Sequence, residues 1–286
     1  EMLRSLVGSE MCIRDSFYEF DKNDRRRDIS CVPYRWNSGK QELENIQKWY
    51  SGKYRYEWMN EVISGNDCGI KPIVMRYADV LLMAAEAANE LNDLPYAKTQ
   101  LRKVRYRAFK SNDAVDTYLA SIGSKEDMFK AIYRERMLEF NCEQVRKQDL
   151  IRWGLLKASL DDTKAKMKAM LDHMSYTSEL TGKTYEFDLI GSKVYYKYDA
   201  DGETIQLHGL DVGEAGDPEG TGWTLFTSKK TDGTTEEEYI KSGTTAAARI
   251  DMIYQYDPDV HMFWPLFKQS ITTNSLLVND YGYPMQ

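Results

Sequence analysis

Apolar residues recur at helical spacing over two adjoining stretches near the middle of the chain. In the first, Val80, Leu81, Ala84, Ala85, Ala88 and Leu91 fall on one stripe, which predicts a helix over 77–91. Asn92-Asp93-Leu94-Pro95 interrupts the pattern. Pro95 suits the first turn of a following helix, where its missing N–H costs nothing. In that second helix Ala97, Leu101, Val104 and Ala108 repeat every three or four residues, among Gln100, Arg102, Lys103 and Arg105. The short connection makes the two helices antiparallel neighbours, and Ala84, Ala85, Ala88 and Ala97 let them approach closely. The pattern predicts a helical hairpin over 75–108, the unit a tetratricopeptide array stacks.

Helical periodicity continues after it. A short helix is expected around 115–122. Ser124, with Asp127 three residues on, marks the start of helices over about 124–174, with Phe129, Ile132, Tyr133, Arg136, Phe140 and Val145 on a partly apolar face. Gly154 ends or punctuates the first of these, and Lys157 to Met174 reads as another. From 176 to 248 the period fades and Gly and Thr increase. Ser192–Tyr198 and Glu203–Leu207 flank Asp199-Ala200-Asp201-Gly202 and read as a β-hairpin, with a short strand at Trp223–Phe226 and a turn at Asp232-Gly233. This stretch reads as an insertion whose loops are natural places for binding residues. Upstream, 53–58 alternates like a short strand, 64–67 is a loop, and Lys71 to Val74 leads, extended, into the hairpin. Residues 1–16 have no period and read as an artefactual or disordered prefix. The expected fold is mainly α: a tetratricopeptide-like helical scaffold with an irregular insertion carrying short β-hairpins, followed by a C-terminal segment over 249–286.

Composition narrows the function. The chain has 286 residues, 42% of them hydrophobic, and a net charge of −7. That is ample for a core, and the acidic balance argues against nucleic-acid binding, which needs a basic face. No run of apolar residues is long enough to span a membrane, and the start lacks a signal-peptide pattern. Cys12, Cys31, Cys68 and Cys142 show no C-x-x-C spacing and no disulfide framework, and His173, His208 and His261 are isolated from them. Asp199-Ala-Asp201-Gly faintly resembles a calcium loop, but its twelfth position is Leu210 and not Glu. No G-x-S-x-G, Walker loop or dinucleotide fingerprint is present. No metal and no cofactor is expected.

Charge patterning is the strongest remaining signal. Asp21 to Asp28 is a dense cluster, expected to be a solvated turn with local ion pairs. Glu143, Arg146, Asp149 and Arg152 alternate in sign every three residues, just after Arg134, Glu135, Arg136 and Glu139. On one helix they would form a ladder of neighbouring ion pairs. A glycosidase needs two carboxylates facing one sugar, one of them with a raised pKa. Glu135 and Glu139 have suitable spacing, but the arginines around them would lower both. Rings are plentiful, with 20 Tyr and 6 Trp, but those from Trp36 to Trp58 pack against the following hairpin more readily than they form a sugar platform.

Three motifs together carry a resemblance. MRYADVLLMAAEAANEL followed by A-x-x-x-L-x-x-V-R-x-R-A, with Arg76, Asp79 and Glu86 in its first part, resembles the SusD/RagB family of outer-membrane nutrient-binding lipoproteins. RERMLEFNCEQVRKQDLIRWG is similar to that family's E-R-x-x-E…E-G-x-R-x-x-D-L-x-R-W, matched by Arg136, Glu139, Glu143, Arg146, Asp149, Leu150, Arg152 and Trp153, with Gln144 where Gly is usual. FWPLFKQSITTNSLLVNDYGY resembles its W-P-I-P…N-x-x-L-x-Q-N-x-G-Y ending through Trp264, Pro265, Asn274, Leu276, Asn279, Gly282 and Tyr283. There Phe267 replaces the second Pro, Val278 replaces Gln, and one extra residue precedes Gly282.

The resemblance covers about the C-terminal half of such a protein. It implies a non-enzymatic subunit on the outer face of the outer membrane, partnered with a TonB-dependent, SusC-like β-barrel transporter and held to the membrane by a lipid anchor absent from this chain. The implied ligand is an oligosaccharide or other nutrient oligomer. Given such a glycan ligand, Trp36, Trp58, Trp223 and Tyr239 are the candidate stacking residues. The motif residues are implied to be scaffold, with the charge ladder and the W-P…N…G-Y ending holding helices and C-terminus together. A tetratricopeptide-like adaptor that binds only protein and, further off, a glycoside hydrolase are the alternatives.

Overall fold

The computed structural model describes residues 16–44, 48–54, 73–229, 233–240, 244–263, 265–274 and 276–278. Trp58, Trp264, Asn279, Gly282, Tyr283, Cys12 and Cys68 lie outside these residues, as does the loop expected at 64–67.

After helix α1 (Arg26–Ser30), four short strands follow: β1 (Cys31–Val32), β2 (Tyr34–Asn37), β3 (Lys40–Leu43) and β4 (Tyr50–Ser51). The helical scaffold then runs α2 (Tyr77–Glu90), α3 (Leu94–Ala108), α4 (Asn112–Ser121), α5 (Lys125–Glu139), α6 (Arg146–Arg152) and α7 (Leu156–Leu171). Local chemistry sets the starts. Asp93 accepts from the Tyr96 amide at 3.1 Å and Ser124 from the Asp127 amide at 3.0 Å, each satisfying a first-turn donor.

The hairpin α2–α3 forms as expected, but its buried stripe is rotated. Ala78, Leu81, Leu82, Ala85 and Ala88 face inward, whereas Val80 and Leu91 are exposed, Leu91 by 81%. Helix α2 packs on two neighbours, α3 and α5, and Ala78 and Leu82 belong to the core these helices share. Helix α5 is nearly enclosed. Met128, Ala131, Ile132 and Leu138 are buried beside Glu135, Arg136 and Glu139.

The expected long helix from Ser124 breaks before Gly154. It ends at Glu139, and Cys142 (φ 65°) and Gln144 (φ 62°) turn the chain through the left-handed region before α6 begins. Gly154 (φ 66°) separates α6 from α7. Over Asp21–Asp28 the chain is a largely exposed turn with local ion pairs, Asp24–Arg26 and Arg27–Asp28, as expected, except at Asp24. Asp24 is only 1% exposed, because it bonds the Arg26 guanidinium and backbone amide.

The stretch after α7 is irregular and β-rich. Strand β5 (Tyr176–Thr177) pairs with β6 (Thr184–Tyr185). Strand β7 (Tyr195–Tyr198) lies between β8 (Ile205–His208) and β9 (Thr224–Leu225), all antiparallel. A further hairpin, β10 (Ser228–Lys229) and β11 (Thr235–Glu236), precedes α8 (Thr244–Asp251). A second core joins this region to α7 and the chain start through Phe17, Tyr18, Trp49, Met167, Met170, Tyr185, Phe187, Tyr239 and Ile240.

Pro265 and Asn274 are exposed, and Asn274 only caps its own turn, accepting from the Leu276 amide at 3.1 Å. Helix α9 (Lys268–Thr273) has a single large apolar residue, Ile271, and so no stripe to bury.

Candidate functional site

Two groups of side chains stand out: a buried charge network in the scaffold and a ring-bearing surface on the β insertion.

The network uses the second motif, but not as a ladder. Arg26 Nη1 donates to Glu135 Oε1 at 2.7 Å and to Glu139 Oε2 at 2.6 Å. Arg105 donates to Glu135 at 2.7 Å, and Arg76 and Arg107 both reach Glu139. Glu143 accepts from Arg76 Nε at 2.8 Å and from Lys53 Nζ at 2.5 Å. Arg136 bridges Asp79 and Asp149 at 2.7 Å each. Arg152 and the Trp153 indole N–H converge on Glu86, while Arg146 donates to the Tyr133 carbonyl and lies over the Tyr133 ring. Of the expected ladder only the Asp149–Arg152 rung forms, at 3.0 Å. The break after Glu139 removes Glu143 from the common helix face, so its charge is met from other elements instead.

Burial by itself would raise the Glu135 and Glu139 carboxyls. Arg26 and Arg105 around Glu135, and Arg26, Arg76 and Arg107 around Glu139, overcome that and lower both, Glu139 to about 2. Neither is a proton donor at neutral pH, so this pair does not supply a glycosidase acid.

The second surface is carried by the sheet β8-β7-β9. Tyr195 lies directly opposite His208, with ring centroids 6.4 Å apart, and the His208 and Trp223 rings are 5.8 Å apart. Lys197, two residues beyond Tyr195 and therefore on the same face, holds its ammonium 4.6 Å from the Trp223 ring centre. The Trp223 indole N–H donates to the Glu219 carbonyl at 3.2 Å, and Tyr195 Oη donates to Asp217 at 2.5 Å. All four side chains are partly exposed. The turn holding β7 to β8 is closed by Asp201. Its carboxylate accepts from the amides of Glu203 and Thr204 and from the Thr204 hydroxyl, which occupies the oxygens a calcium loop would offer.

Trp36 stands on the neighbouring hairpin β2–β3 and is 46% exposed. Gln41, its cross-strand partner, fastens the two hairpins together. Its amide N–H donates to the Glu203 carbonyl at 2.8 Å and its side-chain oxygen accepts from the Ile205 amide at 3.0 Å. Tyr239 does not join these rings. It is 2% exposed, and its hydroxyl accepts from the Trp49 indole and donates to the Glu44 carbonyl, both at 3.2 Å. Its ring faces Phe226 and the second core, so it belongs to packing. His208, Tyr195 and Lys197 were not expected at a site. The alternation in Tyr195-Tyr196-Lys197-Tyr198 was a usable signal for the last two, but His208 arrives only through strand register.

A family profile described as the SusD family matches residues 17–283. A SusD-like protein, P25, from Formosa agariphila is 32% identical over 167 residues, covering 54% of this chain. The chain spans 28% of that relative's length. No solved structure matches. The chain belongs to the SusD family.

Proposed function

We propose, for this SusD-family chain, the non-enzymatic binding of oligosaccharides at the cell surface and their delivery to a TonB-dependent outer-membrane transporter. The ring surface of Tyr195, His208 and Trp223 is the observation that carries this reading. Sugar rings present C–H faces that lie flat on indole and phenol rings, and flanking polar groups such as Lys197 and Asp217 suit hydroxyls. The surface is built on paired strands fastened to the Trp36 hairpin through Gln41, so little ordering is needed on binding. The scaffold carboxylates Glu135 and Glu139 are held ionised by the arginines around them, which supports binding rather than hydrolysis.

Titration calorimetry of the protein against a panel of neutral and acidic oligosaccharides tests the reading. Binding of at least one glycan is expected, and a fully silent panel overturns it. Co-purification with a β-barrel transporter encoded beside it is expected for the delivery step. A chain that captures only soluble protein partners would instead be an adaptor.

A further inference from the structure

A second concavity lies on the helical scaffold, at the solvent end of the charge network. It is an open cleft of about 340 Å³. Arg25, Arg26, Lys53, Arg76 and Arg107 line it, against the carboxylates of Glu139 and Glu143. The charges are layered. The two carboxylates form the floor, with side chains 1% and 5% exposed, whereas the Arg107 side chain is 59% exposed. Lys53 and Arg76 are partly exposed between these levels.

The carboxylates do not balance the cations. Glu139 alone receives Arg26, Arg76 and Arg107, and Glu143 receives Arg76 and Lys53. Extending the set to every further ionic partner of Arg26 adds Asp24 and Glu135, and Glu135 brings Arg105 with it. Among the described residues six cations then face four carboxylates. Among the described residues the exposed Arg25 side chain meets no carboxylate; only its backbone amide is engaged, by the Ala108 carbonyl. The cleft therefore presents a cationic rim within a protein of net charge −7. Guanidinium groups at such a rim match the planar or tetrahedral oxygens of a carboxylate or sulfate.

We propose that this cleft binds one oxyanion group, the sulfate or carboxylate of an acidic sugar residue. The volume suits a single sugar ring and not a long chain. Arg25 and Arg107 reach the anion from the rim. Arg76 and Lys53, already anchored by Glu143, fix its orientation. This site is separate from the ring surface on the β insertion, and its sugar assignment rests on the glycan-binding reading.

The test is calorimetry at constant ionic strength, set with sodium chloride, using inorganic sulfate, glucuronate and glucose as probes. Sulfate and glucuronate are expected to bind above the chloride background, glucuronate more tightly, and glucose not to compete. Arg25→Gln is expected to weaken both anions about tenfold, the effect of one lost charge-assisted contact. Arg25→Lys, which keeps the charge but loses the planar fork, should fall between the parent and Arg25→Gln. Because the Arg25 side chain holds no other group among the described residues, these variants should fold as the parent does. Anion binding no stronger than chloride, or unchanged in Arg25→Gln, overturns the site. Glucose binding as well as glucuronate overturns the role of charge, and sulfate binding alone overturns the sugar assignment. Loss of the glycan-binding reading would look different: neutral oligosaccharides would fail while sulfate still bound.

Discussion

Arg26 and Glu139, 113 residues apart in the chain, meet through a 2.6 Å bond in the interior, with the Glu139 side chain 1% exposed. One guanidinium thereby joins the segment before the strands to the helix at the centre of the scaffold. Removing one partner of a buried ion pair leaves the others uncompensated, which costs more than the pair contributes. Glu139→Gln removes the carboxylate that Arg26, Arg76 and Arg107 share, although Arg26 keeps Asp24 and Glu135 and Arg76 keeps Glu143, and is expected to destabilise the protein by about 3 kcal/mol in urea unfolding.

The same carboxylate makes stability depend on pH. Its folded value, about 2, lies below the ordinary 4.5, so the unfolded chain binds a proton that the folded chain refuses. The contribution is complete above the ordinary value and is lost as pH falls towards 2. Urea midpoints measured from pH 6 to pH 2 should fall across this window for the parent and fall less steeply for Glu139→Gln.

Gln144 holds φ at 62° where the family usually has Gly. The turn survives the substitution and carries its strain, because a Cβ crowds the backbone in this region. Gln144→Gly is expected to stabilise by roughly 0.5–1 kcal/mol, read as a higher urea midpoint with an unchanged slope. A lower midpoint would mean that the turn is not strained.

Tyr239 and Trp223 should separate stability from binding. Tyr239→Phe removes a hydroxyl with one buried and one half-buried partner and should cost about 1–2 kcal/mol while leaving any glycan affinity unchanged. Trp223→Ala should leave stability nearly unchanged, since the ring is partly exposed and outside the cores.

Much of the scaffold was legible in the chain because helix signals are local. Pro95, Ser124 and the alanines near Ala85 act within a turn or two of their own positions. The Asp-Gly hairpin was legible for the same reason. What the sequence hid is non-local. Helix α2 packs on both α3 and α5, and the row it buries there leaves Val80 and Leu91 exposed. Glu143 found Arg76 and Lys53 rather than Arg146 because the chain turns after Glu139. At the ring surface, Trp223 was visible as a large ring in a glycine-rich stretch. Its neighbour His208 comes from another strand, and Tyr239, similar in sequence character, is drawn inward by Trp49 and Glu44.

The Trp223 surface is expected to hold a sugar ring. The direct measurement is calorimetric titration, with the best-binding oligosaccharide of the panel, of the parent and of Trp223→Ala. Loss of one stacking ring is expected to weaken binding at least tenfold in Trp223→Ala, with Tyr239→Phe indistinguishable from the parent. Equal affinity of Trp223→Ala and the parent would contradict the claim.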